Sequence, residues 1–329
     1  MPELAALSKR LRTVACQYLA PIAGPYVMLE SEVSDGTTLP VATLGPLARP
    51  QHVGRARRTI VGAETLLGPG AGAIEKAGIL LQKIANTLRF EEFWRDKVRD
   101  DPRVIVTPTF DKTIGKVPIW NAAINHLRRS GVDAGTVLEF GTNNGGWLKY
   151  FVDRLPSSMS FVGFDCFEGL PEAWDDLPAG SIKGYGAPVE LWADDPAARR
   201  RIAEDAEQGI AFPPPPQKNV RIESGLFAES LSRYLQDGWP ADLRLVHFDA
   251  DLYISTRPVL DTLCGPLNYR YLILFDEFYS VNHEFRAWRE FCSLYALKDW
   301  RVLATSADGS QVLIEVNTAA PWPGVNASE

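Results

Sequence analysis

Residues 136–155 read TVLEFGTNNGGWLKYFVDRL, and they set out a strand, a glycine-rich turn and a helix. The first six residues have the apolar content of a buried strand, and the segment from Trp147 has helical spacing. Glycine in such a turn lets the backbone approach a ligand closely, and the start of the helix offers free N–H groups. Glu139, Gly141 and Gly145 follow the pattern E-x-G-x-x-x-G, not the G-x-G-x-x-G of pyrophosphate-binding loops. The turn is therefore either a binding site for a ligand other than pyrophosphate or simply a tight connection between the strand and the helix.

The alternation of strands and helices continues after this unit. Apolar strands are predicted at 160–165, 220–223, 243–249 and 269–276, and a hairpin of strands at 300–305 and 310–316 surrounds an Asp-Gly turn. With helices between them, these strands predict an α/β fold with a Rossmann-like parallel sheet and a terminal antiparallel hairpin. We place the sheet domain at 105–320, a helical and irregular extension at 1–104 and a tail at 321–329.

Two segments outside the regular alternation predict further contacts. The extension contains a long amphipathic helix at 72–100, which we expect to form a subunit contact in a homo-oligomer. Residues 167–218 are long for a connection in a compact domain, which is typical of a lid or a binding loop.

Composition narrows the function classes. The 329 residues carry a net charge of −7 with a pI of about 5.3, which argues against a nucleic-acid partner because phosphate binding needs a basic surface. The run GRARR at 54–58 is a basic patch that also fits a solvated arm. No apolar run is long enough for a membrane span or a signal peptide, and the four Cys have no CxxC spacing. These features predict a cytoplasmic protein without a membrane partner.

Acidic residues close two of the predicted strands. HFDADLY (247–253) contains Asp249 and Asp251, and LFDEF (274–278) contains Asp276 and Glu277. Carboxylates beside buried strands are costly unless something compensates them. Asp249, Asp276 and Glu277 can converge at one sheet edge and bind Mg²⁺, which prefers hard oxygen ligands. Capping of the following helices at an exposed edge is the alternative, and ordering of the turn is the expected role of Asp251.

Asp165 ends the strand that follows the glycine turn. An acidic residue in this position can accept hydrogen bonds from ribose hydroxyls, whereas a helix cap or a surface turn is the structural alternative. The altered glycine spacing fits a nucleoside without pyrophosphate, such as S-adenosylmethionine, better than a dinucleotide.

The run GFDCFEGLPEAW (163–174) resembles the hallmark segment of the macrocin O-methyltransferase family, usually written FDSFEGLPE. The resemblance continues through ESGLFAESL (223–231), DADLYISTRPVLDTL (249–263) and LILFDEF (272–278). Members are class I S-adenosylmethionine-dependent methyltransferases that use Mg²⁺ to methylate sugar hydroxyls of natural products. The resemblance implies their seven-stranded sheet with the last strand antiparallel.

The resemblance also implies roles for individual residues around the cofactor. Residues near the methionine, ribose and adenine parts would be Glu139, Gly141, Asn143, Gly145, Asp165, Cys166, Ser224, Gly225 and Leu226, and DKTIGK (111–116) would form a loop over the cofactor. Cys166 replaces the usual Ser of the hallmark segment, and a thiol is a poorer hydrogen-bond donor.

For the metal, the resemblance implies ligation by Asp249, Asp276 and Glu277, with Asp249 also the base for the accepting hydroxyl. Glu277 stands where the family has a second Asp. His283 is a candidate second base or positioning residue, and a non-catalytic residue at a helix start is its alternative. His126 and His247 are expected to be structural.

The sequence therefore predicts an S-adenosylmethionine-dependent O-methyltransferase of a small sugar or natural-product acceptor, using Mg²⁺. Two other classes stay open. Asp249-Ala-Asp251 matches the DxD metal motif of nucleotide-sugar glycosyltransferases, which leaves the glycine turn unexplained. A methyltransferase-like fold that has lost catalysis and serves as a binding module is the third interpretation.

Overall fold

The computed structural model describes residues 70–107, 116–174, 176–208 and 215–325. Several sequence-based predictions concern residues outside these ranges. They include most of the extension with its GRARR run, residues 111–115 of the predicted loop over the cofactor, and the end of the tail. The described residues all belong to one compact unit.

A single sheet of eight strands forms the centre of the described part of the chain. The strands are β1 (Ile105–Thr107), β2 (Gly135–Phe140), β3 (Met159–Asp165), β4 (Val220–Ser224), β5 (Leu243–Phe248), β6 (Tyr271–Phe275), β7 (Trp300–Ser306) and β8 (Val312–Val316). Their order across the sheet is β1-β7-β8-β6-β5-β2-β3-β4. Only β8 among these strands is antiparallel to its neighbours, β6 and β7. The predicted α/β class and the antiparallel last strand are confirmed.

The predicted count of seven strands is wrong, because β1 adds an eighth at the edge of the sheet. β1 pairs in parallel with β7 through Ile105, Val106 and Thr107. Ile105 and Val106 are about half exposed, and a three-residue strand is too short to show an alternating pattern. Its assignment depends on backbone pairing with a strand about two hundred residues away, which sequence periodicity does not report.

Helices cover both faces of the sheet. They are α1 (Gly70–Trp94), α2 (Val117–Arg129), α3 (Gly146–Val152), α4 (Pro196–Glu207), α5 (Phe227–Gln236), α6 (Tyr253–Val259) and α7 (Glu284–Leu294). α1 continues into a π-helical turn at Arg95–Arg99, and α6 into another at Leu260–Cys264. Alternate strand residues point to opposite faces. In β5, Val246 and Phe248 pack in the core beneath α7, while Leu245 packs in the core beneath α2 and α3.

The C-terminal part of α1 packs on the sheet domain. The Phe90 and Phe93 rings contact Phe285 with centroid distances of 5.2 Å and 5.8 Å, and Asn86 donates a hydrogen bond to Asn282. Trp94 belongs to the same aromatic layer. Within the described ranges no helix has the length and apolar content needed to cross a membrane.

The order of the strands in the sheet reverses beside β2. β3 and β4 lie on one side of β2, whereas β5 and β6 lie on the other. In open α/β sheets such a reversal leaves a crevice at the carboxyl ends of the strands, where ligands bind. Residues of the glycine turn after β2 and of the first acidic cluster after β5 both line this crevice.

Candidate active site at the carboxyl edge of the sheet

A cleft crosses the carboxyl ends of four adjacent parallel strands, β5, β2, β3 and β4. Its lining residues are Gly141, Asn143, Asp165, Cys166, Gly169, Leu170, Pro171, Ile182, Leu226, Phe227, Asp249, Ala250, Asp251 and Ser255. Six of the residues that the sequence assigned to cofactor or catalysis therefore lie in one cleft. The long connection 167–218 also contributes, because four of the lining residues belong to its first part.

Gly141 is required by the closest backbone approach in the cleft. Its φ of +101° lies in the region that favours glycine, and a Cβ at this position would overlap the carbonyl oxygen of Asp249. The backbone at the end of β2 therefore packs directly against the backbone carbonyl of Asp249 at the end of β5. This contact fixes the position of Asp249 relative to the glycine turn.

Gly145, by contrast, is covered by the long connection. A Cβ at Gly145 would lie 3.0 Å from Leu191 and 3.2 Å from Pro188, and Gly145 is not among the lining residues. Beside it, a Cβ at Gly146 would lie 3.1 Å from the carboxylate oxygen Oε2 of Glu190. A carboxylate thus lies against the first residue of α3, the position at which a dinucleotide fold binds pyrophosphate.

Asp165 joins the turn after β2 to the turn after β3. Its Oδ2 accepts a hydrogen bond from the backbone N–H of Asn143 at 2.7 Å, and its Oδ1 accepts one from Phe167 at 2.6 Å. Burial raises the pKa of Asp165 above its ordinary value, and these two N–H donors oppose the rise. Asp165 therefore stabilises the two turns through these hydrogen bonds and also lines the cleft.

The remaining residues predicted near the adenine divide into two groups. Cys166 lines the cleft, and its thiol donates to the carbonyl of Gly169 at 3.3 Å. Leu226 also lines the cleft and is 47% exposed. Ser224 and Gly225 are not lining residues; the Gly225 N–H donates to the carbonyl of Asp165 at 2.9 Å and holds the end of β4 against β3.

Four carboxylates follow β5 and β6. Burial raises the pKa values of Asp249, Asp251 and Glu277, and that of Asp251 reaches about 8 because Asp249 and Glu277 add their negative charge. Asp249 is open to the cleft, whereas Asp276 is 1% exposed beneath it. Asp251 has a φ of +57°, and this left-handed residue turns the chain from β5 into α6.

Lys116 supplies a cation to these carboxylates. Its Nζ forms an ion pair with Asp276 Oδ2 and lies 3.8 Å from Glu277 Oε1. The positive charge of Lys116 opposes the effect of burial on the pKa values of Asp249 and Glu277. The second oxygen of Asp276 accepts a hydrogen bond from Gln311 Nε2, so the Asp276 carboxylate has a protein partner on each oxygen.

Glu139 and His247 lie beneath the cleft in a buried polar layer. His247 Nδ1 is 3.3 Å from Glu139 Oε1, and His247 Nε2 is 4.0 Å from Asp276 Oδ1. The imidazole stacks on the ring of Trp147 with a centroid distance of 4.2 Å. Burial and the charge of Lys116 lower the pKa of His247 well below its ordinary value, so the ring is neutral. Glu139, predicted at the cofactor, therefore lies behind the lining residues.

Glu284 and His283 hold the ends of β5 and β6. Glu284 accepts hydrogen bonds from the backbone N–H groups of Ala250 at 3.4 Å and Glu277 at 3.0 Å. His283 Nδ1 accepts one from the Tyr253 N–H at 3.3 Å. His283 is not a lining residue of the cleft, and the nitrogen that a base would use is engaged with the backbone. A catalytic role for His283 stays a prediction.

The donor set does not fit Mg²⁺. Among the described residues no group of three His, Cys, Asp or Glu side chains is arranged to hold a metal ion. Of the three expected ligands, Asp276 is engaged with Lys116 and Gln311, and Glu277 lies near the same ammonium. The Mg²⁺ site implied by the sequence resemblance therefore has no support in the arrangement of these side chains.

Three residues of this site were not predicted. Lys116 was noted only as the last residue of the loop over the cofactor, and neither Gln311 nor Glu284 had a role. No sequence pattern links Lys116 or Gln311 to Asp276. The position of Gln311 depends on the sheet order, which places the end of β6 beside the start of β8, and Lys116 reaches Asp276 from the start of α2.

Comparisons with known proteins concern the fold. A scan against protein-family models finds no match, and a search of curated proteins finds no similar sequence. Similar solved structures include the calicheamicin methyltransferase CalS11 (19% identity, TM-score 0.41, 70% of this chain and 91% of that one) and the O-methyltransferase NovP (20%, 0.38, 71% and 95%). An O-methyltransferase from Bacillus cereus in complex with SAH is another (14%, 0.37, 77% and 93%). At this distance the likeness transfers no activity, and the macrocin resemblance is not confirmed.

Proposed function

We propose that the protein is an S-adenosylmethionine-dependent O-methyltransferase of a small-molecule acceptor. The observation that carries the proposal is the acidic lining of the cleft. Asp165 and Asp249 line it together with Asp251, whose pKa of about 8 keeps its carboxyl mainly protonated at neutral pH, and none of the described lining residues is Lys, Arg or His. A cleft of this charge favours a ligand with positive groups and disfavours phosphates. S-Adenosylmethionine has no phosphate, and its sulfonium and ammonium outnumber its single carboxylate, so its net charge is positive.

The geometry supports a particular orientation of this cofactor. Asp165 at the end of β3 suits the ribose hydroxyls, and the exposed face of Leu226 suits the adenine. Gly141 leaves room for the methionine part to pass close to the backbone. The sulfonium then lies towards Asp249. The carboxylate of Glu190 at the start of α3 argues against a dinucleotide in the same cleft.

Methyl transfer needs an oxygen nucleophile held in line with the methyl group. Asp249 is the proposed base, because it lies in the cleft and burial raises its pKa, which makes its carboxylate a better proton acceptor. The hydroxyl proton passes to Asp249, and the oxygen bonds to the methyl carbon. The carbon–sulfur bond breaks with its electron pair on sulfur, leaving neutral S-adenosylhomocysteine. Mg²⁺ is not included, because the donor set does not fit it.

Calorimetric titration of S-adenosylhomocysteine tests the cofactor assignment. We expect one binding site in the wild type and about tenfold weaker binding in Leu226→Asp, because an apolar contact worth roughly 1–2 kcal/mol is lost. Leu226 precedes α5 at the N-cap position, where Asp is favourable, so this variant should not lose stability. Leu294→Asp is the matched control, since Leu294 is similarly exposed on α7. It should bind like the wild type.

Other ligands distinguish the competing classes. Binding of a nucleotide diphosphate sugar with Mn²⁺, without binding of S-adenosylhomocysteine, would favour the glycosyltransferase interpretation. Binding of neither class would favour the inactive binding module. Equal affinity of the Leu226→Asp variant and the wild type would place the cofactor outside this cleft.

A further inference from the structure

We infer that the ammonium of Lys116 takes the place of a divalent cation between Asp276 and Glu277, so that this site works without a bound metal. The inference rests on the proposed function for its catalytic meaning. The structural part of the inference, that one protein cation excludes a metal from Asp276 and Glu277, can be tested separately.

The first observation is that both carboxylate oxygens of Asp276 already have protein partners. Its carboxylate is fully buried and has two protein partners, Lys116 on Oδ2 and Gln311 on Oδ1. Mg²⁺ requires near-octahedral oxygen coordination at about 2.0–2.1 Å. A metal on Asp276 would have to displace Lys116, and the displaced ammonium would leave a like charge close to the metal.

The second observation is that the backbone of Lys116 is held at the start of a helix. Lys116 is the N-cap residue of α2, and its carbonyl accepts hydrogen bonds from the N–H groups of Ile119 at 3.2 Å and Trp120 at 3.4 Å. Ile119 is buried in the core beneath α2. The ammonium is therefore presented by a backbone that the helix fixes, as a positioned catalytic group requires. A surface lysine on a mobile segment would not exclude a metal in this way.

The third observation concerns the other groups close to the Lys116 ammonium and to Asp276. The Lys116 ammonium lies 3.8 Å from Glu277 Oε1 as well as against Asp276 Oδ2, and His247 Nε2 lies 4.0 Å from the other Asp276 oxygen, Oδ1. An ammonium has three N–H donors, so Lys116 can serve both carboxylates at once from its position outside the lining of the cleft.

Titration of Mn²⁺, followed by the loss of its free magnetic-resonance signal, tests the inference without an acceptor. The wild type should show no saturable site. Lys116→Met should gain one site at least about a hundredfold tighter, because loss of the ammonium leaves Asp276 and Glu277 without their cation, and the two side chains can then re-orient around a metal. The gained site should vanish in the double variant with Asp276→Asn. Lys116→Arg should behave like the wild type, and so should Lys298→Met, a charge-matched control at an exposed lysine.

Two results would overturn the inference. One is a saturable Mn²⁺ site in the wild type that Asp276→Asn removes; this titration remains decisive even if Lys116→Met does not fold. The other is a folded Lys116→Met protein that gains no site. Calorimetry of S-adenosylhomocysteine on the same samples with EDTA separates this inference from the proposed function. Failure of the cofactor to bind contradicts the function, while the Mn²⁺ titrations alone judge the role of Lys116.

Discussion

Replacement of Gly141 by alanine tests the backbone contact on which the cleft depends. Two costs add in this variant. A φ of +101° is unfavourable for a residue with a Cβ, by about 1–2 kcal/mol. The Cβ would also overlap the carbonyl oxygen of Asp249, and relief of such an overlap in packed surroundings costs about 1–3 kcal/mol. We therefore expect Gly141→Ala to lower the free energy of unfolding by about 2–5 kcal/mol.

Gly238→Ala is the matched control, because it separates the two costs. Gly238 has a φ of +120°, and a Cβ there would meet nothing within 4 Å. Its substitution should cost only the conformational part, about 1–2 kcal/mol. The difference between the two variants then measures the overlap with Asp249.

Urea unfolding followed by circular dichroism gives both free energies, provided that the slopes with denaturant agree. Calorimetry of S-adenosylhomocysteine on the same proteins should show weaker binding in Gly141→Ala and unchanged binding in Gly238→Ala. The reasoning fails if Gly141→Ala is no less stable than Gly238→Ala, because the ends of β2 and β5 would then not be in backbone contact.

Three further predictions concern separate parts of the molecule. Asp249→Asn should abolish methyl transfer and leave S-adenosylhomocysteine binding within a few-fold of the wild type, as measured by calorimetry; full activity would exclude Asp249 as the base. Glu315→Gln should destabilise the protein by about 1–3 kcal/mol near neutral pH, because buried Glu315 accepts hydrogen bonds from Arg301 and pairs with His126. Although burial alone would raise its pKa, these partners lower it, so its stabilising effect is present above the ordinary glutamate range and is lost as the pH falls. Urea titrations should therefore show the difference between Glu315→Gln and the wild type narrowing in acid, and a constant difference would contradict this account. The subunit contact expected from 72–100 stays a prediction; Leu81 and Leu88 are about two-thirds exposed on α1, so Leu81→Asp with Leu88→Asp should convert an oligomer to a monomer in light scattering. A wild-type monomer would remove the idea.

Strands β2 to β8 were predictable because each is a short apolar run bounded by turn residues, and the Asp-Gly pair between β7 and β8 specified a hairpin. The cleft followed from the same information, since acidic and glycine residues at the carboxyl ends of parallel strands must meet at one edge. Gly141, Asp165 and Asp249 were found in this way.

The parts that sequence analysis missed depend on long-range pairing. β1 has only three residues and exists through its pairing with β7. Lys116 forms an ion pair with Asp276, which lies 160 residues further along the chain (276 − 116), and no local sequence pattern connects the two residues. Glu139 has the expected position in the chain, but its side chain points to His247 beneath the cleft, and strand alternation alone does not distinguish these environments.

The most direct test of the central claim is a crystal structure of the protein with S-adenosylhomocysteine. The account predicts the ribose hydroxyls at Asp165, the adenine beside Leu226, and the sulfur facing Asp249 with Lys116 still paired to Asp276. S-Adenosylhomocysteine bound away from the carboxyl edge of β2 and β3, or a cleft that stays empty at saturating concentration, would contradict it.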